Sequence, residues 1–135
     1  MKAQVAIEYL IIASIGLILV LIGGKYLLDV FLDYSDQNRI SIAKNTVKKL
    51  GETADFVSSQ GPPSKTKIRI LIPDGVQKIS FENKTIVLSL KTRSGINDIY
   101  YKTKTEIRGN LPLKSSEYYI SLESKENYVS ISVVG

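Results

Sequence analysis

The hydrophobic pattern changes period along the chain, and each period predicts a different element. From Val5 to Gly24 nearly every residue is apolar or small, and Glu8 is the one ionised residue. About twenty such residues suffice to cross a bilayer as a helix. From Lys25 onward the pattern is amphipathic. Ile40, Ala43, Val47, Leu50, Ala54 and Val57 recur at alternating steps of three and four, the spacing of one helix face. Lys44, Lys48, Lys49, Glu52 and Asp55 lie off that seam. Between Tyr26 and Tyr34 the apolar Leu27, Leu28, Val30, Phe31 and Leu32 cover more than one face, which predicts burial by several partners. Gly61-Pro62-Pro63 ends the pattern, because proline cannot continue a helix. A single helix over this whole stretch would be about 80 Å long at roughly 1.5 Å per residue. That is far more than a bilayer requires.

After Pro63 the period falls to two. Ile68, Ile70 and Ile72 alternate with Lys67 and Arg69, Ile79 and Phe81 with Lys78, Ser80 and Glu82, and Ile86, Leu88 and Leu90 with Val87, Ser89 and Lys91. Tyr118, Ile120 and Leu122 alternate with Tyr119, Ser121 and Glu123, and Val129, Ile131 and Val133 with Ser130 and Ser132. Such segments are half-buried strands with one polar face. One or two more are expected between Asp98 and Arg108. Turns are supplied by Pro73-Asp74-Gly75, Glu82-Asn83-Lys84, Arg93-Ser94-Gly95, Gly109-Asn110 and Ser124-Lys125-Glu126-Asn127. The predicted fold class is α+β: a long N-terminal helix packed on a small antiparallel sheet or sandwich of about five to seven strands, with turn spacing of this kind as its basis. The seam from Ile40 to Val57 is the cover for the apolar face of the strands.

Composition removes most enzymatic chemistry. The 135 residues include no Cys and no His. Disulfides, thiolate metal sites and imidazole-based catalysis are therefore excluded, and neither a metal nor another cofactor is expected. Paired carboxylates such as Glu123 and Glu126 fall in a turn without an apolar pocket to tune them, so no enzymatic activity is expected. The net charge of +5 comes wholly from residues 62–135, with twelve basic against seven acidic residues. Tyr100, Tyr101, Tyr118, Tyr119 and Tyr128 lie among Lys102, Lys104, Arg108 and Lys125, an interleaving that single-strand nucleic-acid binders also use. Tyrosines in strands more commonly serve packing, and nucleic acid is not an expected partner.

Glu8 sets the opening stretch apart from a plain anchor. An acid at the centre of a membrane helix costs about 2.5–3.5 kcal/mol on insertion scales. Gly16 and Gly23-Gly24 add small surfaces along the same run, where neighbouring helices can approach closely. Lys2 before the run favours a cytoplasmic N-terminus.

Gln4, Ala6, Glu8 and Ile12 have the spacing Q-x-A-x-E-x-x-x-I at the head of the apolar run. This resembles the start of archaeal type IV pilins with a class III signal peptide, whose pattern is Gln-x-Ser-x-Glu-x-x-x-Leu. The resemblance covers about the first 25 residues in detail and the helix-plus-β-head architecture in outline. It implies cleavage by a prepilin peptidase between Ala3 and Gln4, so that residues 1–3 are a leader. Residues 4–24 would then be a membrane helix that becomes filament core, residues 25–61 an amphipathic continuation, and residues 62–135 the β head. Ala3 stands where that family usually has Gly, and Ala6 and Ile12 replace Ser and Leu. The implied partners are the peptidase, copies of the same chain, the membrane before assembly, and an assembly platform with its motor ATPase. The implied function is a structural pilin of a cell-surface filament, with adhesion as its role. The alternative is a membrane-tethered minor subunit or binding module that does not form the bulk filament. In the filament the new α-amino group at Gln4 would be buried, and Glu8 of a neighbouring helix would compensate it.

Asn83-Lys84-Thr85 is an N-glycosylation sequon at an expected hairpin tip, and Asn83 is its acceptor.

Overall fold

The computed structural model describes Lys2 to Val134. The chain is α+β, with one helix, α1 (Lys2–Gln60), followed by seven strands. These are β1 (Lys65–Ile72), β2 (Val76–Glu82), β3 (Thr85–Thr92), β4 (Gly95–Lys102), β5 (Glu106–Gly109), β6 (Ser116–Ser124) and β7 (Tyr128–Val133). The described residues up to Ser35 form one compact unit and those from Asp36 onward a second. Called the stem and the head below, they share α1.

In the head, α1 ends where the proline pair predicts. Gly61 follows the last helical residue at φ +76°, a left-handed conformation that costs glycine little. Its N–H donates to the Ser58 carbonyl at 3.1 Å. The next residue, Pro62, has no N–H with which to close a second capping bond.

The strands form two sheets, ordered β1-β6-β7-β5 and β2-β3-β4. All pairs are antiparallel except β5 with β7, where Ile107 is level with Val129. Strand alternation carries no information about direction, so this parallel pair is a detail beyond the expected antiparallel head. The Pro73-Asp74-Gly75 turn closes no hairpin, because it carries the chain from one sheet to the other. The turn at Asn83-Lys84 does close a hairpin, and both residues have positive φ (+44° and +68°). Two such residues make the two-residue turn whose twist matches paired strands.

The inward faces of both sheets meet the seam of α1. Ala43, Val47, Leu50, Ala54 and Val57 are buried, with Ile40 packed against them at the margin. They join Ile70, Ile72, Ile120, Leu122, Val129 and Ile131 from one sheet and Ile86, Leu88, Leu90 and Ile99 from the other in a single core. The helix also blunts an edge. Thr46 Oγ1 donates to the Leu71 carbonyl at 2.6 Å, and Lys49 Nζ to the Arg69 carbonyl at 2.7 Å. These carbonyls belong to β1, an edge strand that would otherwise present unpaired backbone groups. On its other side α1 meets β4, the edge of the second sheet, where the ring of Tyr101 lies on Gly51. Just beyond β4, the Lys104 N–H donates to Asp55 Oδ1 at 2.8 Å. The helix thus fills the gap between the two edge strands.

Candidate functional site

The stem is built from residues that a water-soluble head would bury and that this chain leaves open. Val5, Ile7, Leu10, Ile11, Ile12, Ile15, Leu17, Ile18, Leu19, Val20, Leu21 and Ile22 are all exposed, as are Tyr26, Leu27, Leu28, Val30 and Phe31. This is a helix long and apolar enough to cross a membrane, and none of its most apolar window is buried. Leu, Ile and Val in such density are tolerated only where lipid or other apolar surface replaces water.

The predicted processing and assembly residues all lie on this exposed helix. Gln4, Glu8 and Ile12 recur every four residues and so share one face, with Ala6 to one side. Lys2, Ala3 and Gln4 are helical, so the implied cleavage point lies within the first turns of α1. Ser14 Oγ donates to the Leu10 carbonyl at 2.7 Å, which turns that hydroxyl back onto the helix's own backbone. No atom outside the helix approaches the open sides of Gly16, Gly23 or Gly24, so these stretches of backbone are bare.

The head contributes a polar clamp that sequence reasoning missed. Asp36 lies one step of four before Ile40, on the register of the apolar seam, and it is buried. Its carboxylate accepts a hydrogen bond and an ion pair from Arg39 through Oδ1. Oδ2 accepts the Arg93 N–H at 3.2 Å. Arg39 Nη1 in turn donates to the carbonyls of Asp74 at 3.1 Å and Lys91 at 3.4 Å. The cluster therefore ties α1 to the β1–β2 connection and to the β3–β4 hairpin. The Arg39 hydrogen bond holds the Asp36 carboxyl below its ordinary value; burial opposes this, and the Arg93 N–H and the charges of Arg39 and Arg93 reinforce it. The available signal was the seam itself, since four residues back from Ile40 it meets an acid instead of an apolar side chain.

The remaining candidates are dispersed. Tyr100 and Tyr101 are on β4, whereas Tyr118, Tyr119 and Tyr128 are on the other sheet. Tyr101 and Tyr118 are half-buried against the core, and the Arg108 guanidinium sits 4.5 Å from the centre of the Tyr128 ring. The five rings thus form no common stacking platform. Burial raises the Tyr101 phenol above its ordinary value, helped by the negative charges of Asp55 and Glu52. Asn83 is exposed at the tip of the β2–β3 hairpin, as the sequon predicts. Glu123 forms an ion pair with Lys125 at 3.1 Å.

No protein-family model matches the chain, no curated protein matches it, and no solved structure matches it.

Proposed function

We propose that this chain is a structural subunit of a cell-surface filament, similar to archaeal type IV pilins, and that it polymerises through its stem once residues 1–3 are removed. The observation that carries the proposal is the stem's exposed apolar surface, interrupted early by Glu8 and continuous in sequence with the helix around which the head folds.

Lipid tails and neighbouring helices are comparably apolar, so one surface serves a membrane-anchored precursor and a bundled filament in turn. Packing of close-fitting side chains then drives helix association, as it does between helices in bilayers. Cleavage at Ala3-Gln4 creates an α-amino group that would be costly alone in such a bundle. A Glu8 carboxylate from an adjacent copy compensates it, and the same pairing removes the penalty of burying Glu8. The head remains outside, where its basic, strand-rich surface faces the medium and serves adhesion. Extraction from the membrane falls to an assembly platform with a motor ATPase.

Electron microscopy of material sheared from cells, with the constituent chain identified by mass spectrometry, tests this proposal. Filaments made mainly of this chain are the expected result. Recovery of the chain only from the membrane fraction, with no filament containing it, favours the tethered non-polymerising module instead.

A further inference from the structure

We infer that Asn83 is a glycosylation site, carrying an N-linked glycan whose first sugar rests against Lys84 and Glu106. The inference builds on the outward-facing head of the proposed subunit. Of the six asparagines in the sequence, at 38, 45, 83, 97, 110 and 127, Asn83 alone is followed at the second position by Ser or Thr. The structure adds what the pattern cannot supply. Asn83 and Lys84 are the two central residues of the β2–β3 turn, and both are exposed. Among the described residues, neither the Asn83 amide nor the Thr85 hydroxyl has a hydrogen-bond partner. Some hydroxyls of the head are committed by contrast: Thr46 to the Leu71 carbonyl, Thr92 to the turn that follows it, and Thr103 to the Lys84 carbonyl. The acceptor and its recognition hydroxyl are therefore both available.

The tip is also held in place. The Lys84 carbonyl accepts the Thr103 N–H at 2.7 Å, which pins the turn to the chain leaving β4. Beside it, Asn83, Lys84 and Glu106 line a recess of about 230 Å³. An ammonium and a carboxylate there supply a donor and an acceptor to sugar hydroxyls. The transfer is chemically complete without redox change. The Asn83 amide nitrogen bonds to the anomeric carbon of a lipid-phosphate-linked glycan. The bond from that carbon to the phosphate oxygen breaks, the lipid phosphate leaves with the electron pair, and one amide proton passes to a base of the transferase.

The test is peptide mass spectrometry on the full chain recovered from its native host, with fractions from outside the cell, membrane and cytoplasm analysed separately. A glycan mass increment on the segment 79–84 is expected. It should disappear in Asn83→Gln and in Thr85→Val and persist in Thr85→Ser. Lys84→Gly keeps the sequon and relieves a positive-φ residue, so the increment should persist there too, in a hairpin at least as stable. An unmodified segment on the exported, leaderless chain overturns the glycan and leaves the filament proposal standing. A modified segment on a chain that never leaves the membrane supports the glycan and counts against the filament. An unmodified chain confined to the cytoplasm overturns both, and so does an increment that survives Asn83→Gln for the assignment to this residue.

Discussion

Gly51 and Tyr101 touch so closely that a Cβ on residue 51 would overlap the ring atoms Cγ, Cδ1 and Cε1 of Tyr101. The aromatic side chain of an edge strand thus rests directly on helix backbone. A glycine inside a helix weakens it by roughly 1 kcal/mol relative to alanine, so on propensity alone Gly51→Ala should stabilise. The contact decides otherwise. Overpacking of this kind costs about 1–3 kcal/mol, and Gly51→Ala is expected to lower the unfolding midpoint of the detergent-solubilised chain. Adding Tyr101→Ala should remove that penalty, so that the two changes are strongly non-additive in thermal unfolding.

The clamp at Asp36 predicts an acid-sensitive head. Its carboxyl is held below the ordinary value of 3.8, so its contribution to stability is fully present above that value. The contribution is lost as pH falls below 3.8 and through the lowered folded value. Asp36→Asn removes the charge and should flatten the acid limb of the stability curve near and below pH 4. Thermal unfolding from pH 7 down to pH 2, wild type against variant, measures it. Parallel curves would show that Asp36 does not contribute to the acid limb.

Glu8→Leu separates anchoring from assembly. The substitution makes the stem more apolar, so membrane insertion should be unchanged or stronger. Filament yield should fall steeply, because the α-amino group at Gln4 loses its counter-charge, a penalty of about several kcal/mol per buried ion. Immunoblots of sheared and membrane fractions read both quantities. Normal filament yield would remove Glu8 from the assembly chemistry.

How much of this was legible without coordinates varies with the kind of interaction. The seam was legible because Ile40, Ala43, Val47, Leu50, Ala54 and Val57 are apolar at helical spacing, and burial follows from that alone. The helix end at Gln60 was legible because Pro62 and Pro63 forbid continuation. Asp36 was not, because although Arg39 is a local partner three residues on, the burial of the acid and the Arg93 N–H that reaches Oδ2 come only from the tertiary fold. Nor was the pairing of β5 with β7, since Ile107 and Val129 alternate alike in parallel or antiparallel partners. The contact of Tyr101 with Gly51 joins residues that look unremarkable separately. Gln4, Ala6, Glu8 and Ile12 were legible as a motif, and their shared placement on the open helix follows from its periodicity.

The central claim is that the exposed stem packs against copies of itself, and cysteine scanning tests it most directly. The chain has no Cys, so each introduced thiol is alone. Leu17, Ile18, Leu19, Val20 and Leu21 cover more than one full turn and are all exposed, so replacing each by Cys in turn samples every face. Sheared, lipid-free material would be treated with a short thiol-reactive crosslinker and separated by size under denaturing conditions. Because each chain carries one thiol, a covalent dimer at one or more of these positions is the predicted result. Monomer alone at every position would contradict a filament core made of stems.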